Sequence, residues 1–221
     1  MMLPMQTLVL TTPKGDVSAA WHEGGRRGAP ALVVGHGAGA GMDHPFIQGF
    51  CEAIAADGVS ALRFNFPYLE AGRRTPDSPA NAIGAFRAAF DEASSRSGGR
   101  PVVGGGKSYG GRIASMAAAE GMPAAALVFL GYPFHPPGKP DQVRDAHLYE
   151  LTIPMLFLQG TKDPFAQPVA VARVIKKLGS RATFVPWDGA GHSFGRSRKD
   201  DARVTGASLA PIAASFIREQ V

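Results

Sequence analysis

The chain has one cysteine among 221 residues, Cys51, so it cannot form an internal disulfide. Without that staple it must hold itself together by burying apolar surface, and its length is sufficient for a substantial core. Cysteine usage of this kind makes the cytoplasm the expected compartment. Long apolar runs are also missing. No stretch approaches the roughly 18 residues that a membrane-spanning helix needs, so no membrane role is expected. The opening Met1-Met2-Leu3-Pro4-Met5-Gln6 has no basic segment followed by a long apolar one, and no secretory signal is expected from it. Acidic residues are outnumbered, 18 against 23 basic, for a formal net charge of +5. The basic residues are scattered: Arg26-Arg27, Arg73-Arg74, Lys176-Lys177, and Arg196 with Arg198-Lys199. None is interleaved with aromatic residues as a nucleic-acid groove requires, so these read as solvated surface and no nucleic-acid partner is expected. His36 and His44 have no third ligand at a sensible spacing, so no metal is expected.

What the chain does have is a regular alternation of short apolar runs and helical patterns. That alternation argues for one α/β domain over residues 1–221 with a mostly parallel sheet. Gln6–Leu10 and Val17–Trp21 read as an opening hairpin, with Pro13-Lys14-Gly15-Asp16 as its turn. Further strands are expected at Ala31–Val34, Ser60–Phe66, Val102–Gly105, Ala125–Leu130, Met155–Gln159 and Ala182–Pro186. Helices are expected at Phe46–Ala56, Ala80–Ser94, Tyr109–Ala119, Val169–Leu178 and Ala202–Glu219, with apolar residues at helical spacing. Cys51 falls at such spacing with Phe50 and Ile54 and reads as a small core residue. The proline-rich piece Tyr132–Tyr149 breaks the rhythm and is expected to be a long loop.

Sites in open parallel sheets form at the carboxyl ends of the strands. Four such ends carry chemistry here. Gly106-Lys107-Ser108-Tyr109-Gly110 is a G-x-S-x-G pentapeptide between the run Pro101-Val102-Val103 and an amphipathic stretch. Its glycines remove the Cβ atoms that would collide across a sharp strand-to-helix turn, leaving Ser108 at the apex. Gly160-Thr161-Lys162-Asp163 follows the seventh strand, and Gly189-Ala190-Gly191-His192 follows the last. A serine hydroxyl needs an adjacent base, which His192 can supply, while Asp163 can orient the imidazole. The order Ser108, Asp163, His192 is the hydrolase order. Asp163 could instead cap the helix that follows it, and Asp188 is a rival acid only four residues from His192. Gly35-His36-Gly37-Ala38-Gly39-Ala40-Gly41 suits an oxyanion hole, with backbone N–H groups of Gly37 or Ala38 and of Tyr109 as donors. His36, Asn65, Arg73 and Arg74 are candidate substrate contacts around the pocket. The arginines would suit a carboxylate or phosphate, an exposed loop being the plainer alternative. Gly106-Lys107-Ser108 also matches the end of a phosphate-binding loop, but the glycine required five residues earlier is Pro101.

These residues resemble the α/β-hydrolase superfamily across nearly the whole chain. The segments Gly35–Pro45, Gly106–Arg112 and Gly160–Phe165 are similar to a small branch that includes bacterial proteins and the hydrolase-like domain of the NSL chromatin-complex subunit. The chain is more distantly similar to dienelactone hydrolases, which carry cysteine at the elbow where this chain has Ser108. The resemblance implies Ser108, Asp163 and His192 as a triad. The stretch Tyr132–Glu150 is too short and too proline-rich for a helical cap domain, so a minimal cap or none is expected, and a triad mechanism needs no cofactor. The expected activity is that of a carboxylesterase-like serine hydrolase acting on a small-molecule acyl substrate. A catalytically silent binding or scaffold protein on the same fold is the alternative.

Overall fold

The computed structural model describes residues 5–25, 29–197 and 199–221; the basic residues Arg26, Arg27 and Arg198 lie outside the described residues. A hairpin of β1 (Met5–Thr12) and β2 (Gly15–His22) opens the chain. There follow β3 (Ala31–Gly35), α1 (Pro45–Ala56), β4 (Ser60–Phe64), α2 (Pro67–Glu70) and α3 (Pro79–Ser97). Next come β5 (Val102–Lys107), α4 (Tyr109–Ala119), β6 (Leu127–Leu130), β7 (Met155–Gly160), α5 (Pro168–Leu178), β8 (Ala182–Trp187) and α6 (Ala202–Gln220). The strands make one sheet in the order β1-β2-β4-β3-β5-β6-β7-β8. β2 runs antiparallel to both β1 and β4, and the other neighbouring strands run parallel.

The central strands are buried on both faces, which is why they read as unbroken apolar runs instead of alternating ones. In β3, Val33 faces the side covered by α3 and α4, whereas Leu32 and Val34 face the side covered by α1 and α6. Ile83, Phe86 and Phe90 of α3 pack on the first face, and Phe46, Phe50 and Ile54 of α1 on the second. Cys51 is fully buried on the second face, and burial pushes its thiol up to about 12, which removes it as a nucleophile.

The end of β4 differs from the expectation for a physical reason. The strand expected over Ser60–Phe66 ends at Phe64: the Asn65 N–H still donates to the Ser18 carbonyl of β2, but the Phe66 N–H turns off the ladder to the His36 ring. Pro67 then opens the short helix α2 at its first position, where the missing N–H costs nothing. The segment between β6 and β7 is a loop with one 3-10 turn at Ala146–Tyr149 and carries no helical cap. No helix among the described residues is long and apolar enough to cross a membrane.

Candidate active site

The turn at Ser108 is dictated by how closely α4 lies on β3. A Cβ at Gly106 (φ +148°) or at Gly110 would run into the Gly35 backbone, so both positions require glycine. Between them Ser108 takes φ +51° and ψ −112°, a conformation that costs a side-chain-bearing residue about 1–3 kcal/mol. Its backbone is held on both sides: the N–H donates to the Leu130 carbonyl at 3.1 Å, and the carbonyl accepts from Arg112 N–H at 3.1 Å. The Ser108 N–H is therefore occupied, and the first N–H of α4, next to the nucleophile, is that of Tyr109.

Loops after β5, β7 and β8 bring three side chains into one hydrogen-bonded line. His192 Nε2 lies 2.8 Å from Ser108 Oγ, and His192 Nδ1 lies 2.7 Å from Asp163 Oδ2. The carboxylate accepts a hydrogen bond from Nδ1–H, which leaves Nε2 free to accept from the serine hydroxyl. The Asp163 side chain has no exposed surface. Its Oδ1 accepts from the Phe165 N–H at 2.8 Å, and its Oδ2 also accepts from the Gln159 amide at 2.6 Å. Asp163 does not cap the following helix, whose N-cap is Gln167. Asp188 is turned to Thr161 and makes no bond to His192. The two acidic and basic loops are tied directly, Lys162 N–H donating to the Ala190 carbonyl at 2.8 Å. Phe165 sets its ring edge-on to His192 at 4.7 Å and limits imidazole rotation.

Burial lowers the His192 pKa and the nearby Lys107 charge lowers it further, against the opposing pull of the Asp163 hydrogen bond and charge. Lys107 itself is pushed down to about 8 by burial, with Asp163 pulling the other way. Burial of the ring and the Lys107 charge both favour the neutral imidazole, the form in which Nε2 can take a proton.

The serine opens into a cleft of about 400 Å³. Gly37 sits beside it: a Cβ there would be 4.0 Å from Ser108 Cβ. Gly37, Ala38 and Tyr109 all line the cleft. The proposed substrate contacts His36, Asn65, Arg73 and Arg74 do not form part of its wall. His36 is fully buried, its Nδ1 donating to the Gly37 carbonyl at 2.7 Å and its Nε2 accepting from Phe66 N–H at 3.1 Å. It is thus a strut beneath the glycine loop, and burial drives its pKa down to about 4. Asn65 is consumed by the Met42 N–H at 2.8 Å and by Glu70 at 2.9 Å. Arg73 and Arg74 are exposed, and Arg73 pairs with Asp77 at 2.6 Å.

The wall contains residues the sequence reading passed over, notably Lys107, Arg112, His135, Arg144 and Phe165. Arg112 could have been found, since it is four residues after Ser108 and so one helical turn above it. His135 and Arg144 lie in the proline-rich loop, where no periodicity fixes direction. Among the described residues no group of three or more His, Cys, Asp or Glu side chains could hold a metal ion.

Solved structures share this architecture. A serine hydrolase without a lid from Xanthomonas campestris superposes with a TM-score of 0.76 at 19% identity, covering 98% of this chain and 97% of its own. A dienelactone hydrolase from Anabaena variabilis gives a TM-score of 0.77 at 18% identity over 100% of both chains. The esterase domain of a Rhodothermus marinus protein gives 0.69 at 19%, covering 96% and 99%. At these identities the likeness is one of fold. A family model for the alpha/beta hydrolase domain matches residues 28–218, and the chain therefore belongs to the α/β-hydrolase family.

Proposed function

We propose that the protein is a serine hydrolase that cleaves a small carboxylic ester or thioester through an acyl-enzyme. The observation that carries this reading is the unbroken line Ser108 Oγ–His192–Asp163 at the foot of an open cleft. His192 Nε2 takes the hydroxyl proton as Oγ attacks the carbonyl carbon. Asp163 stabilises the imidazolium that results. The developing oxyanion is received by the Tyr109 N–H and by that of Gly37 or Ala38, groups of a kind worth about 10²–10³ in rate each. The imidazolium returns its proton to the leaving oxygen or sulfur. Water then adds to the acyl-enzyme with His192 again as base, and Ser108 departs with the proton restored. These steps need only the protein, the substrate and water. The absence of a helical cap between β6 and β7 favours short acyl chains over long lipids.

The test is covalent labelling of the purified protein with a fluorophosphonate, followed by turnover of acetyl, butyryl and long-chain esters. Labelling is expected in the wild type and lost in Ser108→Ala, whose turnover falls by about 10⁶-fold. Turnover that survives this substitution would falsify the assignment.

A further inference from the structure

The cleft wall has a charge imbalance that ester cleavage alone does not call for. Lys107, Arg112 and Arg144 all line it, and none of the cleft-lining residues is an aspartate or glutamate. None of the three cations forms an ion pair among the described residues. Elsewhere in the chain arginines are treated differently. Arg63, Arg73, Arg96, Arg173 and Arg203 each pair with a carboxylate. Arg87, Arg181, Arg196 and Arg218 donate to backbone carbonyls. Arg74 and Arg100 have no partner and are exposed to water. Arg112 and Arg144 are the described arginines that are withdrawn from full exposure and yet left without a guanidinium partner. The Arg112 Nε is buried and makes no hydrogen bond among the described residues.

The backbone that carries these side chains is held in place. Arg112 sits in the first turns of α4, whose backbone is locked by the elbow. Arg144 belongs to the proline-rich loop, but its N–H donates to the Phe134 carbonyl at 2.7 Å and its carbonyl accepts from the Tyr132 hydroxyl at 2.9 Å. The Arg112 charge is felt by its neighbours, since it lowers the pKa of both Arg144 and His147 after burial has done so. His135, 3% exposed, adds a further open position: its Nδ1 donates to the Pro136 carbonyl at 2.9 Å and its Nε2 has no partner among the described residues. Guanidinium groups kept in a half-buried cleft without counter-charge are stabilised when an anion enters, and their planar forks match carboxylate and phosphate oxygens.

We infer that the substrate carries an anionic group, a carboxylate or a phosphate, remote from the ester carbonyl, and that Arg112 and Arg144 receive it. The inference rests on the serine-hydrolase reading for the position of the carbonyl, at Ser108. It makes the protein selective for half-esters of dicarboxylic acids or for phosphorylated esters over neutral ones. Lys107, next to the nucleophile, adds to the attractive field without needing direct contact.

The test uses matched methyl esters: monomethyl glutarate, its uncharged amide analogue methyl glutaramate, and methyl 4-phosphonobutyrate. Binding to Ser108→Ala is measured by titration and turnover is measured on the wild type. The anionic esters are expected to bind and react about 10- to 100-fold better than the amide, as charge-assisted hydrogen bonds imply. That preference is expected to shrink to within a few-fold in Arg112→Gln and in Arg144→Gln, and to be partly kept in Arg112→Lys. A carboxylate that outperforms the phosphonate identifies a dicarboxylic half-ester, and the reverse identifies a phosphorylated substrate. Equal binding of glutarate and glutaramate esters, or a preference that persists in both glutamine variants, overturns the inference. Should Arg112→Gln fail to fold, Arg144→Gln carries the test alone. Charge-selective binding by a protein that resists the fluorophosphonate would retain the anion site and remove the hydrolase reading. Labelling without charge selectivity would do the opposite.

Discussion

The floor of the cleft and its far wall are built on different principles. The floor, where β3, β5 and α4 meet, is shaped by backbone against backbone. Gly106 and Gly110 lie so close to Gly35 that no side chain fits, and Ser108 is forced into a left-handed conformation by that contact. The far wall, residues 132–150, is shaped by side chains bonding to carbonyls, as Tyr132 does to Arg144. On the floor, the position of the reacting atom follows from geometry that hardly depends on which polar residues surround it. On the wall, identity matters more than spacing, because what is presented to the substrate is charge. A fold of this kind can keep its nucleophile fixed while its loops set the substrate.

The contrast can be broken at graded cost. The largest expected effect on rate in this set comes from Asp163→Asn, which preserves shape but leaves the imidazole in the wrong tautomer. It should lower kcat by about 10⁴-fold, seen in ester turnover at neutral pH. The glycines separate floor from wall directly. Gly110→Ala places a methyl on the Gly35 carbonyl and should cost about 3 kcal/mol in denaturant unfolding. Gly138→Ala, on the wall at φ +68° with open space around it, should cost about 1 kcal/mol. Equal losses at the two positions would erase the distinction.

Acid probes both regions at once. His36 under the floor, His147 behind the wall and His22 on β2 are each lowered from 6.5 to about 4, in every case chiefly by burial. The unfolded chain binds protons near pH 6.5 that the folded chain refuses until about 4, so acid favours unfolding. The contribution of these histidines to stability should be constant above about 6.5 and be lost steadily as the pH is lowered to about 4, read as the urea midpoint against pH over that acid range. His192 is lowered too, so the acid limb of kcat/KM should fall below 6.5. The smallest expected effect is that of Tyr132→Phe. Removing the hydroxyl that holds the Arg144 carbonyl should reduce the preference for anionic over neutral esters by about five-fold, the worth of one ordinary hydrogen bond.

Much of the architecture could be read along the chain, for reasons tied to particular elements. β3 and β5 are buried on both sides and so are continuous apolar runs, and α1 keeps Phe46, Phe50 and Ile54 on one face. Where the reading slipped, a long-range contact had intervened: the His36 ring takes the Phe66 N–H, which ends β4 early and lets Pro67 begin α2. Asn65, Arg73 and Arg74 follow a strand end, as site residues do, but Asn65 is bonded to Met42 and Glu70, Arg73 is paired with Asp77, and Arg74 is exposed to water outside the cleft wall.

The amino-acid sequence by itself determined the alternating α/β layout, the sharp turn at Ser108, and the identity and order of the three residues that meet there. Each of these depends on local composition: apolar period, glycine where a Cβ would collide, proline where an N–H is dispensable. Tertiary structure alone decided that His192 sits 2.8 Å from Ser108 with Asp163 behind it, because those residues lie on separate loops. It also decided that Lys107, Arg112 and Arg144 line one cleft whose wall carries no carboxylate. Charge pairing is a property of through-space neighbours, and no spacing along the chain records it.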